Sequence, residues 1–220
     1  MAFNCKPSGD YGINSTEGIN NETEYYYYFS SFATRECIIG MLCNIVEESG
    51  LNPWRWQGDH VASDYSNGYG LYQYTEASAY INLTGIPGHA PNLSTTHVLG
   101  GDPSDAYAQM DVFKNNTLSK WRNDCWRPYW SATDYPLLYA RRTHILNTYG
   151  DGSTLSMSQF FQIDDAEDAC FAFLACFEGP SVPNFDDRIA HIQDLDNNLP
   201  SSDDDDLIAI LYKYSRRYLK

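Results

Sequence analysis

A glutamate at the end of an apolar helix is the first residue whose position suggests chemistry. In the segment TRECIIGMLCNIVEES, apolar residues recur at three- and four-residue steps, and one further step of three reaches Glu48 rather than Glu47. Partial burial there would favour the protonated form of the carboxyl, which could then act as a general acid. The alternative is a glutamate that only ends the helix and faces water. The apolar stripe consists of Ile38, Met41, Leu42 and Ile45.

The segment GYGLYQYT, which begins twenty residues after Glu48, combines glycines with polar and aromatic side chains. Gly68 and Gly70 permit a tight turn or a close approach of the backbone to a ligand. The amide of Gln73 can both donate and accept hydrogen bonds with hydroxyl or amide groups of a ligand. Three flat rings with a polar tip are expected to contact the ligand, with core packing as the alternative: Tyr69, Tyr72 and Tyr74.

Two aspartates lie between these segments, eleven and sixteen residues after the glutamate. Asp59 and Asp64 are both candidates for a second carboxylate, which could stabilise a cationic transition state or activate water. Asp59 is preferred because it directly follows the segment WRWQG, whose Trp56 is expected to line the site. A site with neither aspartate is the remaining alternative, and His60 is interpreted as an ordinary loop residue.

The order of these segments resembles a known family. VEESGLNP followed by GYGLYQYT resembles the ES-x-x-NP … G-x-G-L-x-Q pattern of goose-type lysozymes and lytic transglycosylases, and more closely that of the phage tail lysozyme family. The segment FLACFEGPSVPNFDDRIAHI resembles the late FL-x-x-FERP … R-x-x-A element of that family, so the resemblance covers roughly residues 30–195. Two positions depart from the pattern: Gly179 stands where the family usually has Arg, and Tyr74 replaces a Trp.

The resemblance implies a phage-borne muramidase that cleaves the β-1,4 link between N-acetylmuramic acid and N-acetylglucosamine. It makes Glu48 the catalytic acid and the GYGLYQYT segment the other wall of a cleft. Peptidoglycan glycan strands are the expected partner, together with other phage tail proteins. The alternatives are a lytic transglycosylase, an inactive glycan-binding virion component and a chitin-directed glycosidase. The expected location is the phage tail, or release from the infected cell.

Composition excludes several other classes. The net charge of −15 argues against nucleic acid, whose phosphates would be repelled, and against free adsorption to an anionic cell wall. Delivery by a particle or another module would suit such a charge, although solubility alone also explains it. We expect no membrane span, because no apolar run reaches 18 residues, and no signal peptide is visible. No metal or other cofactor is implied.

The cysteines also lack a zinc-like spacing. Cys37 and Cys43 are expected to share one helix, and Cys170 and Cys176 another, at separations too long for a disulfide within either helix. Buried free thiols are favoured, while bridges between helices remain open.

The expected fold is mainly α (α+β lysozyme-like), a helical bundle with a catalytic cleft and at most a small β element near residues 55–75. We expect a polar, irregular arm over residues 1–24, a catalytic domain over 25–200, and a C-terminal helix over 201–220 that could lead into a further module. Thr34 is the expected N-cap of the first long helix and Gly50 its C-terminal glycine. Further helices are expected at 105–130, 135–148, 164–178 and 186–195, with a loop over 149–163.

Two other groups are interpreted structurally. Glu178 also ends an apolar helix before Gly-Pro, so its spacing alone makes it a twin of Glu48. The resemblance instead implies a structural residue that pairs with Arg188 and holds the last helix. Trp126 and Trp130 are expected to share a helix face and form a satellite core, with stacking on sugar rings as the alternative. The run of four aspartates near the C-terminus lacks the spacing of a calcium loop and is interpreted as a helix start.

Overall fold

The structure is a computed structural model that describes residues 3–6, 9–57, 66–84 and 103–201. Within these ranges it is helical and contains no sheet, which confirms the predicted mainly α class. One isolated antiparallel bridge joins Trp56 to Tyr69, within the range predicted for a small β element. The helices are α1 Thr16–Phe29, α2 Arg35–Ser49, α3 Ala77–Thr84, α4 Pro103–Lys114, α5 Pro136–Thr148, α6 Met157–Phe160, α7 Ala166–Phe173, a π-helix Leu174–Glu178, α8 Phe185–Ile189 and α9 Ile192–Asn198.

Helix α2 is the centre of the fold, and its ends are the predicted ones. The side chain of Thr34 accepts a hydrogen bond from the Cys37 amide at 3.0 Å, and Gly50 ends the helix in the left-handed conformation, with φ 53°. Helix α7 packs closely against α2, because a Cβ on Gly40 would lie 2.5 Å from the Cys170 nitrogen. Glycine therefore permits an approach of the two backbones that a side chain would prevent.

Several predicted boundaries are wrong. Residues 16–24, expected in an irregular arm, form the first part of α1, and the preceding Phe3 and Cys5 are 1% exposed. The helix predicted over 105–130 ends at Lys114, since Asn116 and Ser119 adopt positive φ and the chain continues in turns to residue 135. The loop predicted over 149–163 contains α6, and the helix predicted over 186–195 is two short helices. The predicted C-terminal helix lies outside the described residues.

The lean toward free thiols is wrong for one pair of cysteines. Cys125 and Cys176 form a disulfide with a Cα–Cα distance of 4.4 Å, which ties the irregular segment 115–134 to the π-helix. The other four cysteines are buried and form no disulfide within the described residues. The predicted helix pairs Cys37/Cys43 and Cys170/Cys176 are found on α2 and on α7 with its π-helical extension. Among the described residues, no helix is both long and apolar enough to cross a membrane.

Candidate active site

Glu48 lies in the last turn of α2, where the apolar stripe ends. The four stripe residues are 0% exposed, whereas the side chain of Glu48 keeps 22% of its surface exposed. This is the partly buried position that the periodicity predicted. The adjacent Glu47 is exposed and lies within 2.7 Å of the Nε2 atom of His191, so the two glutamates face different surroundings.

Arg188 on α8 is the partner of Glu48. Its Nη2 donates to Glu48 Oε1 at 2.7 Å, and its Nη1 donates to Asn44 Oδ1 at 3.1 Å. The guanidinium is 6% exposed, and Asn44 is itself fixed because its Nδ2 donates to the Cys170 carbonyl at 3.1 Å. Arg188 therefore holds one carboxyl oxygen of Glu48 in a defined position. The predicted pairing of Arg188 with Glu178 is wrong, since no ion pair to Glu178 forms within the described residues.

Glu178 ends the π-helix, directly before Gly179 in the left-handed conformation. Its Oε1 is buried and has no hydrogen-bond partner within the described residues. Burial raises the pKa of Glu178 well above its usual range, and the nearby charge of Glu48 raises it further. Three cations oppose this shift without forming an ion pair: Arg188, Lys120 and Arg127.

Arg127 explains how the chain tolerates glycine at position 179. A Cβ built on Gly179 would overlap Nε and Cζ of Arg127, so the guanidinium occupies the space next to this position. Arg127 Nη2 also donates to the Phe177 carbonyl at 2.7 Å. A cation is thus present beside Glu178 although the residue that follows Glu178 is not an arginine. Sequence spacing gave no signal of this, because 50 residues separate Arg127 from Phe177.

The GYGLYQYT segment forms a compact turn. The Gly70 amide donates to the Arg55 carbonyl at 2.8 Å, and a Cβ on Gly70 would overlap Gln109 Oε1, so this position requires glycine. Gln73 Nε2 donates to the carbonyls of Gly70 at 2.9 Å and Arg55 at 3.2 Å, which commits part of the amide to the fold. Its Oε1 is buried and has no hydrogen-bond partner within the described residues.

The four rings expected to contact a ligand are buried instead. Trp56, Tyr69, Tyr72 and Tyr74 are each at most 1% exposed, so they present no ring face to a ligand in this conformation. The hydroxyls of the three tyrosines have internal partners, which makes burial of a tyrosine acceptable. Tyr69 donates to Asp105 Oδ2 at 2.6 Å, Tyr72 lies 3.0 Å from the Tyr25 hydroxyl, and Tyr74 donates to the Gln109 carbonyl at 3.0 Å. The expected ligand contacts of these rings are therefore corrected to core packing.

Some of the remaining predicted residues lie outside the described residues, and the structure places the others. Asp59, Asp64 and His60 lie outside the described residues. Trp126 and Trp130 lie in turns rather than on a helix, yet their rings pack edge to face at 5.4 Å as part of an aromatic cluster. No group of His, Cys, Asp or Glu side chains within the described residues is arranged to hold a metal ion.

A groove of about 1090 Å³ lies away from these residues, between α5 and the segment 182–189. Neither Glu48, Gln73 nor Glu178 lines it. The groove has its own charged lining, which includes Arg141, His144 and Asp168. We place the candidate site at Glu48, because the partly exposed carboxyl that ends α2 is held there by Arg188 of α8.

A known protein family matches the part of the chain that forms this site. The family model described as phage tail lysozyme matches residues 20–195, a range that includes α2, the GYGLYQYT segment, the π-helix and α8. Membership implies a lysozyme-like, peptidoglycan-degrading function and an association with phage. The chain belongs to the phage tail lysozyme family.

Proposed function

We propose that this chain is a muramidase that hydrolyses the β-1,4 link between N-acetylmuramic acid and N-acetylglucosamine, with Glu48 as the general acid. The observation that carries the proposal is the position of Glu48 in a chain of this family: it ends the buried helix α2 and keeps 22% of its side chain exposed. We further propose that the enzyme is phage-borne and acts on the wall during penetration or lysis.

The two oxygens of the Glu48 carboxyl have different contacts, which supports a different role for each. Arg188 holds Oε1, while no described residue hydrogen-bonds to Oε2. A proton carried by Oε2 would be given to the glycosidic oxygen as the bond to the leaving sugar breaks. Water then attacks the anomeric carbon, and the proton that the water loses restores the protonated Glu48 carboxyl.

The positive charge that develops on the sugar ring must be stabilised by a carboxylate or another polar group. In this proposal, Asp59 or Asp64 supplies a carboxylate, or the acetamido or 6-hydroxyl group of the substrate takes that part. Gln73 is retained as a ligand of the sugar, because the residue is half-buried, unlike the tyrosines, and its carboxamide oxygen has no hydrogen-bond partner within the described residues. Glycan specificity is thus assigned to polar groups rather than to the buried tyrosines.

The test is the clearing of purified peptidoglycan by the wild type, Glu48→Gln and Glu47→Gln. Glutamine keeps the shape of the side chain but cannot donate the proton. Glu47 is the matched control, because it neighbours Glu48 in the chain and faces elsewhere. We expect the wild type and Glu47→Gln to clear the wall, and Glu48→Gln to lose at least about 100-fold in rate.

Mass spectrometry of the products separates the related activities. Reducing ends support hydrolysis, whereas 1,6-anhydro ends would identify a lytic transglycosylase. Equal clearing by wild type and Glu48→Gln would refute the acid assignment. Glycan binding without cleavage by any variant would show a binding component of the virion, and cleavage of chitin oligomers alone would show a chitinase.

A further inference from the structure

The groove between α5 and the segment 182–189 has apolar walls that the described residues leave uncovered. Of the 13 residues of α5, only Ile145 and Leu146 are buried. Leu137 of α5 lines the groove and is 82% exposed, and Val182, which lines it from the other segment, is 55% exposed. Apolar side chains that line one concave surface from two sides are typical of a surface that another polypeptide segment covers.

The groove also carries an excess of negative charge. Among the described residues, its lining includes six acidic side chains, against Arg141 and His144. Arg141 already pairs with Glu167 at 2.6 Å and with Asp168 at 2.8 Å. His144 Nε2 lies 3.2 Å from the same Asp168. The other four acids are exposed and form no ion pair within the described residues: Asp134, Asp165, Asp186 and Asp187.

Residues 207–220, which lie outside the described residues, have the complementary composition. The sequence LIAILYKYSRRYLK contains no acidic residue, and apart from one serine its uncharged residues are apolar or aromatic. Opposite charges across an interface give specificity, while burial of apolar surface supplies most of the free energy. A segment that is both apolar and basic therefore matches a groove that is both apolar and acidic. The basic residues are Lys213, Arg216, Arg217 and Lys220.

The described chain ends on the α7 side of this groove. Arg35 Nε donates to the Pro200 carbonyl at 3.1 Å. The hydroxyl of Thr34, the preceding residue, donates to the Ile163 carbonyl, two residues before Asp165, which lines the groove at the start of α7. The five residues between the described chain and the basic segment have a reach of up to about 17 Å. The basic segment can thus reach the groove of its own molecule.

Helix α8 connects the groove to the candidate active site. Four of its five residues line the groove, and the fifth, Arg188, donates to Glu48 Oε1 at 2.7 Å. A segment bound in the groove would therefore cover the free side of the helix that positions the Glu48 carboxyl.

We propose that residues 207–220 bind in this groove of their own chain. Their apolar side chains cover Leu137 and Val182, and their basic side chains approach the exposed aspartates. The bound segment supports α8 from the side opposite α2. Such binding goes beyond the enzymatic activity proposed above and does not depend on it.

Paramagnetic NMR of the full chain tests this binding. A nitroxide attached to Thr133→Cys lies next to Asp134 at the α5 end of the groove, at an exposed position. The four cysteines outside the disulfide are buried, so the introduced thiol is the reactive one. Thr117→Cys is the matched control, because Thr117 is also exposed in a turn but does not line the groove. We expect the amide signals of residues 207–220 to lose most of their intensity with the label at position 133, and to keep it with the label at position 117.

Two charge variants in the chain labelled at position 133 test the recognition. Arg216→Glu/Arg217→Glu should restore the signals of the segment, because like charges would then face the exposed aspartates. Arg216→Lys/Arg217→Lys keeps the charge and should leave the signals weak. Leu137→Ser should restore the signals in part, since it removes apolar contact at a position that is too exposed to support the fold.

Three outcomes would overturn the proposal. Equal intensities with the two labels would show that the segment does not bind in the groove. Weak signals that persist in Arg216→Glu/Arg217→Glu would show that the segment only lies near the groove. In a mixture of spin-labelled chain and separately isotope-labelled chain without the nitroxide, loss of the same signals would assign the groove to the segment of a second copy.

Discussion

Arg188 Nη2 lies 2.7 Å from Glu48 Oε1, and this ion pair joins residues 140 positions apart in the chain. Helix α8, which carries Arg188, is only five residues long, so its placement depends on contacts of this kind. The ion pair therefore links the position of α8 to the position of the Glu48 carboxyl.

Arg188→Ala should be strongly destabilising. The guanidinium is 6% exposed and contacts both Glu48 and Asn44, so its removal leaves buried polar groups without a partner. We expect the free energy of unfolding to fall by about 3 kcal/mol, the lower end for a broken buried pair because Glu48 is partly exposed. Urea denaturation measures this loss. Arg122→Ala, which breaks the exposed pair with Asp124, should cost less than about 1 kcal/mol; equal losses in the two variants would contradict a special role for Arg188.

The disulfide should contribute to stability through the size of the loop that it closes. Cys125 and Cys176 are 51 residues apart, for which the loss of chain entropy in the unfolded state predicts about 4 kcal/mol. The double variant Cys125→Ser/Cys176→Ser should therefore melt well below the wild type. Thiol titration of the denatured, unreduced protein should find four free cysteines. Six reactive thiols in freshly purified protein would show that the bridge does not form.

Glu22 should make stability fall as the pH rises. Burial is the main cause that raises its pKa from 4.5 to about 7, and the hydrogen bond from Asn198 opposes the shift. The folded state holds the proton of Glu22 more tightly than the unfolded state does. Its contribution to the free energy of unfolding is therefore complete below pH 4.5 and is lost as the pH rises through about 7. Glu22→Gln should flatten this part of the stability profile relative to the wild type. Glu17→Gln, on the exposed side of α1, is the control and should leave the slope as it is.

Local signals in the sequence predicted α2 well, because caps and periodicity act within a few residues. Thr34, Gly50 and the stripe leading to Glu48 are found where they were expected. The partner of Glu48 was not predictable in this way. Both Glu178 and Glu48 end apolar helices, and nothing in the spacing tells which of the two carboxyls an arginine on a later helix will reach.

The tyrosines show a second limit of sequence reasoning. A ring with a polar tip suits a wet cleft and also suits a core that offers a partner for the hydroxyl. Tyr69, Tyr72 and Tyr74 are in the core because Asp105, Tyr25 and the Gln109 carbonyl supply those partners from other elements. The disulfide was missed for a similar reason, since the residues around Cys125 were expected to be helical and instead form turns that bring it to Cys176.

Gly179→Arg restores the residue that the family usually has at this position, yet it should destabilise this chain. Gly179 has φ 61°, a conformation that costs a residue with a side chain about 1 kcal/mol. The new side chain would also displace Arg127 from the space it fills and break its hydrogen bond to the Phe177 carbonyl. We expect a total loss of about 2 kcal/mol in the free energy of unfolding.

The double variant Gly179→Arg/Arg127→Ala decides whether Arg127 is the cause. Removing the Arg127 side chain frees the space beside residue 179, so the second substitution should recover part of the loss, and the two effects should couple by at least about 0.5 kcal/mol. Urea denaturation of the wild type, both single variants and the double variant measures this coupling. Strictly additive losses would mean that the two side chains do not compete for the same space, and that the cost of Gly179→Arg comes from the backbone alone.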